Sequence, residues 1–149
     1  MQLLSLGSQY ALNALIVLGK KPTGTTMPAS ELARPLKSPS NYLSQMLAKL
    51  IRPGIVGSKR GIRGGVYLKR SPSEITMLDV IEAIEGDNFL KSCFLGIEGC
   101  GEVATCPFHE EWSKKLMKIQ TMLTETTLQK LCDEVTDEWV EISSELITK

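Results

Sequence analysis

Pro35 and Pro39 stand four residues apart in the stretch SELARPLKSPSNYLSQMLAKLI and divide it into two short helices that cannot fuse into one. The first opens at Pro28, whose fixed φ suits a first helical turn, and is predicted to stop at Arg34, ahead of Pro35. Ser38 is placed to cap the second and Pro39 to fill its first position, with Leu43, Met46, Leu47 and Leu50 as the buried stripe. Two short helices joined by a tight turn make a helix-turn-helix.

The flanking pattern extends this unit. A helix over Ser5–Leu18 precedes it, its apolar face set by Leu12, Leu15 and Ile16 and its end by Gly19. After Pro53-Gly54, the β-prone segments IVGSK and GVYLKR flank RGIRGG, which reads as a hairpin with a glycine-permitted loop. The helix SEITMLDVIEAIEG follows, capped by Thr76 with Asp79 three residues on and closed by Gly86. Residues 87–106 have no strong period and read as a loop. Beyond Pro107, Phe108, Trp112, Leu116, Ile119 and Leu123 share one helical face. Leu128, Leu131, Val135, Trp139, Ile142 and Leu146 do the same in a last helix, and both tryptophans are read as core or interface residues.

Charge is distributed unevenly along the 149 residues, although the net charge is zero. Residues 1–80 hold eleven Lys/Arg against three Asp/Glu, and residues 81–149 hold six against fourteen. A basic half beside an acidic half predicts that one part faces a polyanion. The second helix of a helix-turn-helix lies in the major groove of duplex DNA. Here its outer face offers Ser40, Asn41, Ser44, Gln45 and Lys49. Asn41 and Gln45 can pair with an adenine edge, Ser is permissive, and Lys49 can reach phosphate. The hairpin adds Lys59, Arg60, Arg63, Lys69 and Arg70, with Arg63 at a tip suited to a minor groove. A plain solvated helix and turn would show similar polar faces; order, spacing and local charge excess together favour DNA. RGIRGG lacks the spacing of a nucleotide-phosphate loop.

No signal peptide is visible and the apolar run at Ala14–Leu18 is too short to span a bilayer, so a cytoplasmic protein without membrane contact is expected. In that compartment four cysteines point to metal or redox chemistry before disulfides. Cys93 is followed after six residues by Cys100, after five more by Cys106 and after two more by His109, the chain's one histidine. Gly96, Gly99 and Gly101 let the backbone bend around a compact object. Three thiolates and an imidazole complete either a zinc site or a two-iron cluster. The wide gaps weigh against zinc, and reduced or disulfide-forming thiols are the third reading. Cys132, without neighbouring ligands, is read as a small core residue.

Taken in order, LGSQYALNAL, SELA, NYLSQMLAKL, GIVGSKRGIRGGVYL, EITMLDVIEAIEG and CPFHEEW resemble the IscR family of winged-helix regulators, with NsrR, RirA and CymR among its members. The likeness covers residues 1 to about 130. It implies a mainly α fold: a winged helix-turn-helix domain over 1–86, a cluster-binding loop over 87–106, and dimerisation and C-terminal helices over 107–149. It further implies a homodimer, held by the helix from Pro107, on an approximately palindromic operator in double-stranded DNA. In IscR-like members three cysteines and a histidine hold a two-iron cluster, and Cys93, Cys100, Cys106 and His109 match them. A 2Fe-2S cluster is thus favoured over 4Fe-4S, although the first cysteine gap is one residue longer than in IscR and does not fix the type. Ser44 stands where relatives often carry Glu, which alters the bases accepted or rejected. Gln9 occupies the place of an acidic ligand of some NsrR members and is a poor ligand, which favours His109. The expected function is DNA-binding transcription regulation modulated by the cluster, not enzymatic catalysis. A cluster-free or zinc-binding regulator sensing a metabolite is the alternative; an electron carrier would leave the basic half idle.

Overall fold

The computed structural model describes residues 3–102 and 106–147, so residues 103–105 of the predicted loop lie outside the described residues. Helix α1 (Leu6–Gly19) carries no charged residue and is buried nearly all round, which makes it the central rod of the fold. Its first turn is closed by Ser5, whose Oγ accepts the Ser8 N–H at 3.2 Å.

Against α1 pack α2 (Ala29–Leu36) and α3 (Ser40–Lys49), the predicted helix-turn-helix. Two details differ from the sequence reading. Helix α2 runs through Pro35 to Leu36 instead of stopping at Arg34. In the last turn Pro35 costs the helix one main-chain hydrogen bond, and the two further residues bury Leu36 completely. Lys37 then ends the helix in the left-handed region at φ 49°, and the Ser38 N–H closes the turn on the Ala33 carbonyl at 3.2 Å. Ser38 is also not the cap of α3: Pro39 takes that position, and Ser38 Oγ is buried without a hydrogen-bond partner among the described residues. The predicted stripe Leu43, Met46, Leu47 and Leu50 is buried, and each fully buried leucine contributes about 2–3 kcal/mol.

Strands β1 (Val56–Lys59) and β2 (Gly65–Leu68) form the antiparallel wing, in register from Val56 opposite Leu68 to Lys59 opposite Gly65. Met27 pairs with Val66 on the outer side of β2. That pairing explains Gly65: its φ is +147°, and a Cβ there would come within 2.3 Å of the Met27 carbonyl. Helix α4 (Met77–Glu85) begins with the predicted capping box of Thr76 and Asp79 and ends at Gly86.

Helix α5 (His109–Glu125) turns Trp112, Leu116, Ile119 and Leu123 inward, whereas Phe108, which caps it, is exposed. The end of α5 is tied to the start of α4 by main-chain hydrogen bonds: the Met77 N–H donates to Thr126 O (2.9 Å) and the Leu128 N–H to Ile75 O (2.8 Å). The predicted last helix is two, α6 (Leu128–Glu134) and α7 (Asp137–Ile147). Val135 is extended between them, and Thr136 Oγ accepts the Trp139 N–H at 3.1 Å to start α7 afresh. Val140 and Ser144 are the buried residues of α7; Trp139, Ile142 and Leu146 face outward, against the expected shared face with Leu128 and Leu131. Helix α7 packs on α1 and α2, with Lys20–Asp137 at 3.0 Å and Lys37 paired with Glu145.

One long-range polar contact fixes α1 to α4. Glu85 Oε1 accepts the Ser5 N–H at 2.8 Å and the Ser8 hydroxyl at 2.5 Å. Partial burial opposes ionisation of Glu85, but these hydrogen bonds and the nearby Lys49 outweigh it and hold its carboxyl below the ordinary range. A carboxyl depressed by folding adds stability above its unfolded pKa, near about 4.3, and that stability is lost as pH falls through the lower folded value. Glu85→Gln is therefore expected to flatten the acid limb of a melting-temperature profile below about pH 5. An unchanged acid limb would assign the acid sensitivity to other carboxylates.

Candidate functional site

Two surfaces carry the candidate residues. On α3, Ser40, Asn41, Ser44, Gln45 and Lys49 are all exposed while the opposite side of the helix is packed into the core. Helix α3 thus offers uncharged hydrogen-bonding groups at its N-terminal end and a cation in its last turn. On the wing, Lys59, Arg60 and Arg63 are exposed, and Arg63 lies in the loop joining the strands. Lys59 Nζ sits 5.1 Å from the Tyr67 ring centroid, which steadies a cation on the wing edge. Arg70 behaves differently. Its guanidinium turns inward to the Glu74 carbonyl and to Asp79 Oδ2 (3.4 Å), bracing the α4 cap.

The second surface is a cleft of about 550 Å³ between the cysteine loop and the first turns of α5. Cys93, Cys100 and Cys106 converge there, their sulfurs all within 4.8 Å of one another. The Cys100 and Cys106 sulfurs lie 3.8 Å apart, and His109 Nδ1 is 3.6 Å from Cys100 Sγ. The mutually close set contains the three thiols; His109 adjoins it at Cys100. Gly101, at φ +97°, passes so close to the imidazole that a Cβ would stand 2.3 Å from His109 Cε1, so the loop needs glycine there to lie on the ring.

Local contacts hold the loop against α5. Trp112 Nε1 donates to Ser92 O at 2.9 Å, and Phe94 lies between Trp112 and Phe108, with centroids at 5.2 and 6.2 Å. These aromatic contacts were not anticipated from sequence; a Phe just after Cys93 and a Phe just before His109 were the available signal. Hydrogen bonds from the backbone of Ile97 and then Leu95 hold the Cys93 thiol below its ordinary pKa. At Cys100, a backbone hydrogen bond with Cys106 favours the thiolate, but burial and the adjacent Cys93 and Cys106 sulfurs outweigh it and raise the pKa. A bound cationic centre would relieve that penalty at Cys100. The donor set suits iron–sulfur or zinc chemistry.

The remaining residues of interest lie elsewhere. Cys132 is buried in α6 beside the Ile16 carbonyl at 3.7 Å, and burial raises its pKa. Gln9 spends its side-chain amide on the Leu4 carbonyl at 2.9 Å. No helix among the described residues is long and apolar enough to cross a membrane.

Known proteins match this arrangement. The family model Rrf2, described as an iron-dependent transcriptional regulator, matches residues 4–134. The HTH-type transcriptional regulator IscR of Photorhabdus laumondii is 30% identical over 131 residues, spanning 88% of this chain and 79% of that protein. CymR, the global cysteine regulator of B. subtilis, superposes with a TM-score of 0.76 at 27% identity, covering 91% of this chain and all of CymR. IscR of T. potens has the same fold, with a TM-score of 0.71 at 24% identity over 91% of this chain and 89% of that one. These relatives are transcription regulators rather than enzymes. Exposed α3, a basic wing and residues 4–134 together place the chain in the Rrf2 family of DNA-binding transcription regulators.

Proposed function

We propose that the protein is a homodimeric regulator whose operator binding is modulated by an iron–sulfur cluster at the cysteine cleft. The observation that carries this reading is the approach of Cys93, Cys100 and Cys106 to within 4.8 Å of one another in one cleft. Those thiols would hold the cluster, with His109 as fourth ligand and a two-iron type favoured. When bound, a cluster supplies a redox-active centre whose stability depends on supply and oxidants. The chain's own part is mechanical. Binding at the three sulfurs would hold the glycine-rich loop over α5 in addition to the contacts of Ser92 and Phe94 with Trp112. Only a difference in stability between those arrangements can shift DNA affinity.

On the DNA side, Ser40, Asn41, Ser44 and Gln45 would read base edges in each half of an approximately palindromic site. Lys49, Lys59 and Arg60 would meet phosphate, and Arg63 the minor groove. The excess of positive charge in residues 1–80 predicts steep salt dependence. Lys49→Ala should weaken all sequences alike and reduce the salt slope by about one, whereas Gln45→Ala should relax preference at particular base pairs by about 1–3 kcal/mol. Fluorescence anisotropy against salt and against a mutated-site panel measures both.

The deciding experiment is anaerobic purification followed by visible spectroscopy, iron and sulfide analysis, and footprinting of cluster-loaded and stripped protein. Coloured, sulfide-containing protein with a footprint that changes on stripping supports the reading. Colourless protein holding one zinc per chain overturns it. Colourless, metal-free protein favours instead a cluster-free regulator sensing a metabolite, the reading to which the likeness to CymR, a cysteine regulator, lends support.

A further inference from the structure

Helix α7 lies beyond residues 4–134, the span matched by the family model, and carries an exposed apolar ridge. Trp139, Ile142 and Leu146 recur at helical spacing and are 49%, 50% and 66% exposed. Beside the ridge, one helical step round, stand Glu138 and Glu141, which make no ion pair among the described residues. A ridge of that size on a helix whose other side is packed needs an explanation. The same chain presents its complement. Between Lys114 and Met122 the only charges on α5 are three lysines, with Met117 and Met122 67% and 56% exposed. Lys114 is taken by Glu110 and Glu111, whereas Lys115 and Lys118 make no ion pair among the described residues. Among the described residues the two faces form no ion pair with each other.

We propose that α7 is a seat for a second copy: the acidic ridge of one protomer receives the basic, methionine-bearing face of its partner's α5. Two-fold symmetry makes the contact twice, α5 on α7 and α7 on α5, so the surface is self-complementary although each half carries one sign of charge. The methionines supply adaptable apolar contact for the ridge, and the carboxylates and ammonium groups set orientation and exclude the like-charged pairing. This rests on the homodimer assumed above and specifies which faces build it. It also assigns a role to residues outside the family-matched span.

Charge reversal tests it in the full-length protein by sedimentation equilibrium. Lys115→Glu/Lys118→Glu and Glu138→Lys/Glu141→Lys should each weaken self-association by roughly a hundredfold, since each opposes like charges at both contacts. Mixed in equal amounts, they should recover a one-to-one heterodimer of near wild-type affinity, because every contact is again between opposite charges. The neutral pair Glu138→Gln/Glu141→Gln, with folding checked by circular dichroism, should lose roughly tenfold. Either outcome of three sinks the idea: a monomeric wild type, acidic-face variants that dimerise like wild type, or folded variants whose mixture stays monomeric. Iron, sulfide and footprint measurements on the same samples read the cluster separately. Loaded protein with a failed mixture overturns the interface alone; a dimer rescued as expected but never loaded overturns the cluster alone.

Discussion

Anaerobically prepared protein carrying Cys100→Ser is expected to lose its visible absorbance and its inorganic sulfide. Cys100 is the sulfur shared by the other donors, 3.8 Å from Cys106 Sγ and 3.6 Å from His109 Nδ1. Serine keeps the volume but replaces a soft thiolate by a hydroxyl, a poor ligand for iron–sulfur centres. Cys93→Ser and Cys106→Ser should behave in the same way, because every sulfur of the group lies within 4.8 Å of the other two. Cys132→Ala is the matched control. That thiol is buried in α6 against the Ile16 carbonyl, outside the group of three sulfurs, so its loss should leave iron and sulfide unchanged. Iron and sulfide content per chain decides the matter. A full complement in any of the three serine variants would remove that residue from the site.

The second large effect lies in α3 and concerns stability rather than recognition. Leu47 is fully buried where α3 packs on α1 and α2. Leu47→Ala removes buried methyl groups and leaves a cavity, at a cost of about 2–5 kcal/mol. Against a total of about 5–15 kcal/mol for a domain, that is a large fraction. It should lower the melting temperature by about 10 °C, given roughly 2–4 °C per kcal/mol at this size. Gln45→Ala, two residues earlier on the exposed side, should shift it by no more than about 2 °C. Thermal unfolding followed by circular dichroism compares the two. Equal shifts would mean that α3 is not anchored through Leu47.

Local chemistry was the readable part of the fold. Thr76, Asp79 and Gly86 start and stop α4 as their residue types demand, and alternate faces of α3 divide cleanly into core and solvent. Position within the tertiary structure was harder. The stripe from Leu128 to Leu146 kept a helical period that concealed a break, because Trp139, Ile142 and Leu146 align with it while facing solvent. The signal against one helix was present: Thr136 followed by Asp137 and Glu138 is an N-terminal cap and acidic first turn. Pro35 misled because its cost depends on where in a helix it falls. At the site, residue types suggested the three thiols, but the Ser92–Trp112 bond and the contact of Phe94 with Trp112 that accompany their convergence had no spacing signal. The Glu85 contact to Ser5 and Ser8 had no local signature, since it joins residues about eighty positions apart.

The two main-chain bonds that tie the end of α5 to the start of α4 make that junction a fulcrum. From it, 17 residues of helix reach about 25 Å back to His109, a stiff arm with the thiols at its far end. A shift of about 2.5 Å at the thiols corresponds to a tilt of roughly 6° at the fulcrum. The geometry therefore gears motion down: a coarse rearrangement among sulfurs arrives at α4 as a small rotation. Helix α4 packs on α1 and α3, so under the proposed reading a rotation of that size would be passed to α3 without dismantling the core between them.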